Sequence, residues 1–297
     1  MKTIRIGYFA DGPWSHNALA LLLEDPSIEI SFIVPRTDST DNRLYDYAKT
    51  YNIPYFKGYS INSNEFLNIA VQYQCDLFVS MSFNQIFRDK IISLPKIGII
   101  NCHAGKLPFY RGRNILNWVL INDEKEFGIT VHFVDQGIDT GDIILQKSFP
   151  ITEQDTYKTL LDVAHVECAN LLYEAIIQVK NEQYSRIKQK EIHNVGFYCG
   201  QRKPGDEIID WSTSSRELFN FIRAICLPGP QATTTFNGNI IKINSCSIIK
   251  DAIRYKCING QIVGKTENGF IIKTLDSILE IRDIDSGGIK IKIGDRL

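Results

Sequence analysis

Residues 4–34, with the sequence IRIGYFADGPWSHNALALLLEDPSIEISFIV, contain the pattern that decides the fold of this chain. An apolar, β-rich run from Ile4 to Phe9 leads into a turn at 11–13, an apolar helical stretch, and a second β-rich run from Ile28 to Val34. The alternation continues with predicted strands at 76–81, 97–101, 128–134 and 143–149, and with predicted helices at 44–51, 63–74 and 115–121. Short apolar strands that alternate with helices predict a mainly parallel sheet covered by helices on both faces.

The second half of the chain changes character. Apolar residues at helical spacing predict one long amphipathic helix over 152–179, and the polar segment that follows ends in Pro204-Gly205. Beyond it, a helix at 214–226 precedes short β runs at 239–249, 269–275 and 278–284, broken by glycine. This pattern is typical of a small barrel or sandwich. We therefore predict a catalytic domain at 1–182, a linker at 183–206 and a small β-rich domain at 207–297.

Composition restricts the class of protein. The 297 residues are 44% hydrophobic and 23% charged, as a folded core requires, and 33 basic against 34 acidic side chains give a formal charge of -1. A chain without basic surplus does not suggest a nucleic-acid partner. The seven cysteines are scattered without the spacing of a zinc knuckle, so we expect reduced thiols and no metal. We expect no signal peptide and no membrane span, and hence a cytoplasmic protein.

The first strand–helix turn lacks familiar phosphate-binding signatures. Gly7 and Gly12 do not form a G-x-G-x-x-G pattern, and no Walker loop occurs in the chain. Trp14, Ser15 and His16 lie where the turn meets its helix and could face a ligand. A helix cap at Ser15, with Trp14 packed on the sheet, explains the same residues equally well.

The segment NCHAGKLPFYRGR, residues 101–113, directly follows a predicted strand. Because side chains alternate along an extended chain, Asn101 and His103 point to one side and Cys102 to the other, which argues against a Cys102–His103 nucleophilic pair. An amide donor beside an imidazole suits a developing oxyanion and a moving proton. Asn101 and His103 are therefore candidate catalytic residues.

A second polar loop, VDQGIDTGD at 134–142, offers a carboxylate partner. Its acids resemble a calcium loop, but the twelve-residue frame would close on Gln146 instead of a glutamate, so calcium is not predicted. A carboxylate from this loop could orient His103 and favour its protonated form. The spacing alone leaves Asp135, Asp139 and Asp142 as open alternatives.

Both motifs together resemble a known family. NCHAGKLPFYRG, followed 38 positions after Asn101 by Asp139 in GIDTGD, is similar to the formyltransferases that use 10-formyltetrahydrofolate. The resemblance covers nearly the whole chain, since IDWS at 209–212, IRA at 222–224 and PGP at 228–230 look like the start of the family's smaller carboxyl-terminal domain. It implies an α/β fold class: a Rossmann-like, doubly wound, mainly parallel sheet with a smaller β-rich, OB-like carboxyl-terminal domain.

The resemblance also implies roles for particular residues. Asn101, His103 and Asp139 match the family's catalytic trio, which acts without metal on a neutral amine that attacks the formyl carbon. The folate cosubstrate, 10-formyltetrahydrofolate, would lie between two loops of the catalytic domain. The cofactor-binding candidates in these loops are Phe83, Asn84, Ile86, Phe87, Gln136 and Asp142. A place in the hydrophobic core explains Phe83, Ile86 and Phe87 equally well. The candidates for the acceptor substrate are Trp14, Lys106 and Arg113.

Two branches of the family share the second domain: one formylates methionyl-tRNA and the other formylates amino sugars linked to nucleotides. Residues 113–120, RNILNWVL, look like the sugar-nucleotide branch. Residues 207–297 hold 12 Lys or Arg against 10 Asp or Glu without a basic cluster, whereas binding a phosphate backbone needs clustered cations. We therefore expect a nucleotide-sugar substrate, with a 4-amino-4,6-dideoxyhexose on UDP or dTDP favoured, and a role in surface glycan biosynthesis. Methionyl-tRNA is the alternative substrate. The intact catalytic trio argues against a scaffold protein without activity. We also expect a homodimer.

Overall fold

The computed structural model describes residues 3–297. The chain folds into two compact units. The first contains residues up to 112 together with 127–149 and 162–199, and the second contains 113–126, 150–161 and 200–297. Each unit therefore includes segments from more than one part of the sequence.

A six-stranded sheet forms the centre of the first unit, with strand order β2-β1-β3-β4-β6-β7. The strands are β1 (Ile4–Ala10), β2 (Ile28–Pro35), β3 (Leu77–Met81), β4 (Gly98–His103), β6 (Glu126–Phe133) and β7 (Ile143–Pro150). The first four strands in this order pair in parallel, and β6 pairs antiparallel with β4. The structure confirms the predicted mainly parallel α/β sheet.

Helices and two short strands complete the first unit. They are α1 (Gly12–Glu24), α2 (Arg43–Thr50), α3 (Asn64–Ala70), α4 (Asp89–Ile92), α6 (Tyr157–Lys180), α7 (Gln189–Ile192), β5 (Arg111–Gly112) and β8 (Tyr198–Cys199). Residues 157–161 of α6 belong to the second unit. The predicted helix at 152–179 begins later, at Tyr157, because Asp155 Oδ2 accepts hydrogen bonds from the backbone and hydroxyl of Thr152 in a turn. Within residues 3–297 no helix is long and apolar enough to cross a membrane.

An aromatic cluster fills one face of the sheet. Phe9, Phe32, Phe66 and Phe78 are buried there, with ring centroids of Phe9 and Phe32 5.6 Å apart. Gly7 is required beside them, since a Cβ at this position would lie 2.5 Å from the Phe32 ring. This packing holds the strands whose carboxyl ends carry the polar loops.

The second unit is built around a five-stranded antiparallel sheet of order β11-β12-β13-β10-β9. Its elements are α5 (Ile115–Ile121), α8 (Ser215–Ile225), β9 (Ala232–Phe236), β10 (Asn239–Ile248), β11 (Ile262–Lys265), β12 (Gly269–Lys273) and β13 (Ile278–Asp285). Ser214 and Glu217 form a capping box at the start of α8, which fixes where this helix begins. A β-rich carboxyl-terminal part is thus confirmed.

The segment predicted as a linker, 183–206, is divided between the units. Residues 183–199 belong to the first unit, where β8 pairs in parallel with β5. The domain boundaries at 182 and 207 remain a prediction.

Candidate active site

Asn101 and His132 face each other across two strands. β4 pairs with β6 so that Asn101 lies opposite His132, and Asn101 Nδ2 is 3.3 Å from His132 Nε2. The other ring nitrogen of His132, Nδ1, lies 2.7 Å from the carbonyl oxygen of Phe133. Because a carbonyl only accepts hydrogen bonds, Nδ1 carries a proton and donates it to Phe133 O.

His103 lies at the end of β4 and is almost completely buried. Its Nε2 is 2.7 Å from the carbonyl oxygen of Tyr110, so this nitrogen is the donor. Gly105 packs directly against the ring: a Cβ there would lie 2.4 Å from His103 Nε2 and 2.5 Å from Tyr110 O. Glycine at this position therefore allows the 101–113 loop to close around the imidazole.

Asp139 brings one carboxylate to both histidines. Its Oδ2 is 3.7 Å from His103 Nδ1, and its Oδ1 is 3.5 Å from His132 Nε2. The backbone N–H of Gly112 donates to Oδ2 at 2.9 Å. Asp139 adopts a φ of 54°, a left-handed conformation that aspartate tolerates better than most residues. Of the three acids that the sequence left open, Asp139 is the one held against His103.

The electrostatics of Asp139 follow from these contacts. Burial works to raise the pKa of this carboxyl, but the rings of His103 and His132 and the Gly112 amide together hold its pKa well below the ordinary range. Both ring nitrogens of His103 face oxygen acceptors, Tyr110 O on one side and Asp139 on the other.

His132 is the member of the cluster that the sequence did not single out. It is buried within β6, two residues before the loop 134–142 that contains Asp139. The one feature of the sequence that could have identified His132 is its ionisable side chain inside the apolar run GITVHFV. Its position beside Asn101 depends on the antiparallel pairing of β4 and β6, which the local pattern does not contain.

Cys102 lies on the opposite side of β4 from this cluster, as strand alternation predicts. Its side chain is buried, and its Sγ contacts the carbonyl oxygen of Cys168 on α6 at 3.5 Å. All seven cysteines are free thiols. Cys102 is therefore part of the packing between β4 and α6.

The candidate folate-binding residues lie in two loops with different surroundings. Phe83 packs edge-on against Phe9 at 5.6 Å, and Phe87 is buried in the aromatic cluster, while the Ile86 side chain is 61% exposed. Asn84 Nδ2 donates to Asp38, but its buried Oδ1 has no hydrogen-bond partner among the described residues.

In the other loop, Gln136 donates to Asp89 at 2.7 Å, and the backbone oxygen of Asp142 accepts from Phe133. A vacant buried acceptor at Asn84, together with exposed apolar surface at Ile86, fits a ligand with a flat ring and N–H donors.

The three candidate residues for the acceptor substrate lie in separate surroundings. Trp14 is half-buried and packs edge-on against His165 of α6, with ring centroids 4.7 Å apart. The stem of Lys106 packs on Gly128, where a Cβ would lie 2.6 Å from the lysine Cβ. Arg113 belongs to the second unit, where it donates to Gln201 at 3.2 Å. Their role toward substrate remains a prediction.

The buried cluster of an amide, two imidazoles and a carboxylate suits acyl transfer without a nucleophilic side chain. The Asn101 amide can stabilise negative charge on a carbonyl oxygen, and the His103–Asp139 pair can accept and hold a proton. Within residues 3–297 no group of three or more His, Cys, Asp or Glu side chains is arranged to hold a metal ion.

Comparison with known families matches almost the whole chain. A family model described as formyl transferase matches residues 16–176. A second model, described as formyl transferase, C-terminal domain, matches residues 202–295.

Curated relatives are similar over most of their length. A methionyl-tRNA formyltransferase of Pelotomaculum thermopropionicum is 33% identical over 254 residues, covering 84% of this chain and 79% of the relative. That of Halothermothrix orenii is 31% identical over 284 residues, covering 92% of this chain and 89% of the relative.

Solved structures share the fold at lower identity. The N-formyltransferase from Helicobacter canadensis, in complex with folinic acid and dTDP-3-aminofucose, has a TM-score of 0.71 at 24% identity and covers 95% of this chain and all (100%) of its own. WlaRD, a sugar 3N-formyl transferase with dTDP and 5-N-formyl-THF, has a TM-score of 0.70 at 24% identity over 95% of this chain and 98% of its own.

Proposed function

Because this chain belongs to the formyl transferase family, we propose that it transfers a formyl group from 10-formyltetrahydrofolate to the primary amine of a nucleotide-linked amino sugar. The observation that carries the reaction is the cluster in which Asp139 lies 3.7 Å from His103 and 3.5 Å from His132, with Asn101 3.3 Å from His132. When the reaction is complete, the bond between the formyl carbon and the folate nitrogen is broken. A bond from that carbon to the amine has formed, and one amine proton has moved to the folate nitrogen.

The chain's own residues divide this work. Asn101 has a second amide hydrogen beyond the one directed at His132, and this hydrogen can stabilise negative charge that develops on the formyl oxygen. The Asp139 carboxylate orients His103 and helps to accept the proton that the attacking amine loses. Because the cluster is mostly buried, these interactions act with little competition from water.

The folate is the source of the one-carbon group, and two loops of the first unit fit it. The unpartnered Oδ1 of Asn84 supplies an acceptor for a ring N–H, and Ile86 supplies apolar surface. Gln136 and Asp142 lie in the second loop, 134–142, which also contains Asp139. Phe87 contributes from the core, by supporting Phe83 at a centroid distance of 5.8 Å.

Charge in the carboxyl-terminal part supports a sugar acceptor over tRNA. Of its 12 cationic side chains, several are already neutralised or buried. Arg216 pairs with Asp123 and Glu153, and Arg282 pairs with Glu280. Lys273 and Arg223 are buried and donate to backbone carbonyls. The other eight are exposed. Because the four already named are unavailable to a phosphate backbone, fewer accessible cations remain for tRNA, which supports a small-molecule substrate.

Methionyl-tRNA is the second candidate, and the specific observation in its favour is the 33% identity to curated methionyl-tRNA formyltransferases. A thermal-shift panel separates the two acceptors, because a ligand that binds the native state raises the melting temperature by mass action. The panel contains UDP- and dTDP-linked sugars, methionyl-tRNA, and 5-formyltetrahydrofolate as the folate control. We expect the folate and one nucleoside-diphosphate sugar to raise the melting temperature. A rise in melting temperature with methionyl-tRNA and none with the nucleotide sugars would instead identify methionyl-tRNA as the acceptor.

A further inference from the structure

A buried glutamine outside both sequence motifs touches both catalytic loops. Gln189 begins α7, in the segment that the sequence predicts to be a linker, yet its side chain is only 4% exposed. Its Nε2 donates to the backbone oxygens of Asp139 at 2.8 Å and Gly141 at 2.9 Å. Its Oε1 accepts from the Arg111 guanidinium, from Nε at 3.1 Å and Nη2 at 2.6 Å. One amide therefore binds the end of the 101–113 motif and the loop of the catalytic aspartate.

The chemistry of the partners permits only one orientation of this amide. A guanidinium has donors and no acceptor, so it must face Oε1, while two carbonyl oxygens have no donor and must face Nε2. All four polar contacts are satisfied in this orientation, and reversing the amide would break every one of them. Because Gln189 is buried, water cannot readily replace lost contacts, and each unsatisfied group would be costly.

The backbone around Gln189 fixes its position from both sides. Before it, Ile187 and Ile143 exchange two backbone hydrogen bonds at 2.8 and 2.9 Å, at the start of β7. After it, Tyr198 and Cys199 pair with Arg111 and Gly112, and Gly112 is the residue whose N–H holds the Asp139 carboxylate. The segment 187–199 thus spans the two loops and places Gln189 between them.

We propose that Gln189 is a positioning residue for formyl transfer, fixing the Asp139 carboxylate between His103 and His132 by clamping the backbone of its loop to Arg111. The inference rests on the proposed function, and it assigns a role to a residue whose polar contacts are with Arg111 and with two backbone oxygens of the Asp139 loop. Catalysis that depends on a carboxylate placed between two imidazoles is sensitive to its position, since a displacement of about 1 Å can lower rates by about 100-fold.

Two substitutions test the clamp. Gln189→Met keeps the length of the side chain and removes both sets of hydrogen bonds, whereas Gln189→Glu keeps the acceptor for Arg111 and sets a carboxylate oxygen against two carbonyl oxygens. We expect each to lower kcat by about 10- to 100-fold at saturating concentrations of both substrates. Gln183→Met is the matched control, because Gln183 is exposed and lies six positions earlier, in the predicted linker 183–206; it should retain wild-type kcat.

Two further measurements distinguish positioning from a general structural role. Because Gln189 acts through the Asp139 loop, both variants should lower kcat while the KM for each substrate changes by less than about threefold. Hydrogen exchange followed by mass spectrometry should show faster exchange in peptides covering 135–146 in both variants, with exchange elsewhere unchanged.

Exchange in 135–146 equal to that of the wild type, or kcat within threefold of it in both variants, would overturn the role of Gln189. If Gln189→Met fails to fold, Gln189→Glu decides alone, since it preserves size and the Arg111 contact. The exchange measurement needs no acceptor, so it decides the clamp even if the wild-type enzyme formylates none of the amines offered. The latter result would count against the proposed function only.

Discussion

Replacing Asp139 by asparagine removes one charge from the candidate active site with almost no change in shape. The carboxylate lies 3.7 Å from His103 Nδ1. Two unit charges at that distance interact by about 4 kcal/mol at an effective dielectric constant of about 20. If that interaction is made in full only when His103 is charged in the transition state, its loss corresponds to a decrease in kcat of about a thousandfold. The asparagine oxygen can still accept from the Gly112 N–H, so the loop should keep its conformation.

The assay follows release of tetrahydrofolate at saturating 10-formyltetrahydrofolate and amino-sugar acceptor. Asp46→Asn, an identical change at an exposed position of α2, serves as the control and should retain full activity. Circular dichroism and melting temperature establish that the Asp139→Asn protein is folded. A folded variant with kcat within tenfold of the wild type would refute the argument that this carboxylate supports His103 electrostatically.

Three other predictions concern the same cluster. Asn101→Ala should lower kcat by about 100- to 1000-fold with an unchanged fold, as expected for the loss of one oxyanion donor; near wild-type turnover would remove Asn101 from the mechanism. Gly105→Ala should abolish most activity, because its Cβ would lie 2.4 Å from His103 Nε2, whereas a Cβ at Gly200 meets nothing within 4 Å and Gly200→Ala should be silent. The pKa of Asp139 is depressed in the folded state, so its stabilising contribution is complete above the unfolded-state pKa of about 3.9 and is lost as the pH falls through the lower folded-state pKa. Urea unfolding should therefore show the largest deficit of Asp139→Asn near neutral pH and a shrinking deficit below about pH 4; a deficit that does not depend on pH would contradict this.

Local patterns were sufficient for the sheet and for part of the site. The alternation of apolar strands and helices from Ile4 to Val34 predicts β1, α1 and β2, because buried parallel strands need apolar residues on both faces. Strand alternation likewise predicts that Cys102 points away from Asn101 and His103, as the contact of Cys102 with α6 shows. These features depend on near neighbours in the sequence.

The other features of the site depend on pairing between distant parts of the chain, which local sequence patterns do not predict. His132 joins the site because β6 runs antiparallel to β4 in a register that sets His132 opposite Asn101. Residues 187–199 are held by backbone pairing and by the side chain of Gln189. Because neither contact requires apolar residues at regular spacing, the sequence of this segment resembles a polar linker. Phe87 is a folate candidate within the first predicted loop, but it packs in the core, because an aromatic residue at the end of a loop fits either role.

The most direct test of the account is a transfer experiment with 10-formyltetrahydrofolate labelled with carbon-13 in the formyl group. The wild-type protein is incubated with this donor and with UDP- and dTDP-linked 4-amino-4,6-dideoxyhexoses, and in parallel with methionyl-tRNA, and the label is located by NMR and mass spectrometry. We expect a labelled formamide on the sugar nitrogen, with one tetrahydrofolate released for each sugar formylated. Label found only on methionyl-tRNA, or only in free formate, would contradict the proposal that this enzyme formylates a nucleotide-linked amino sugar.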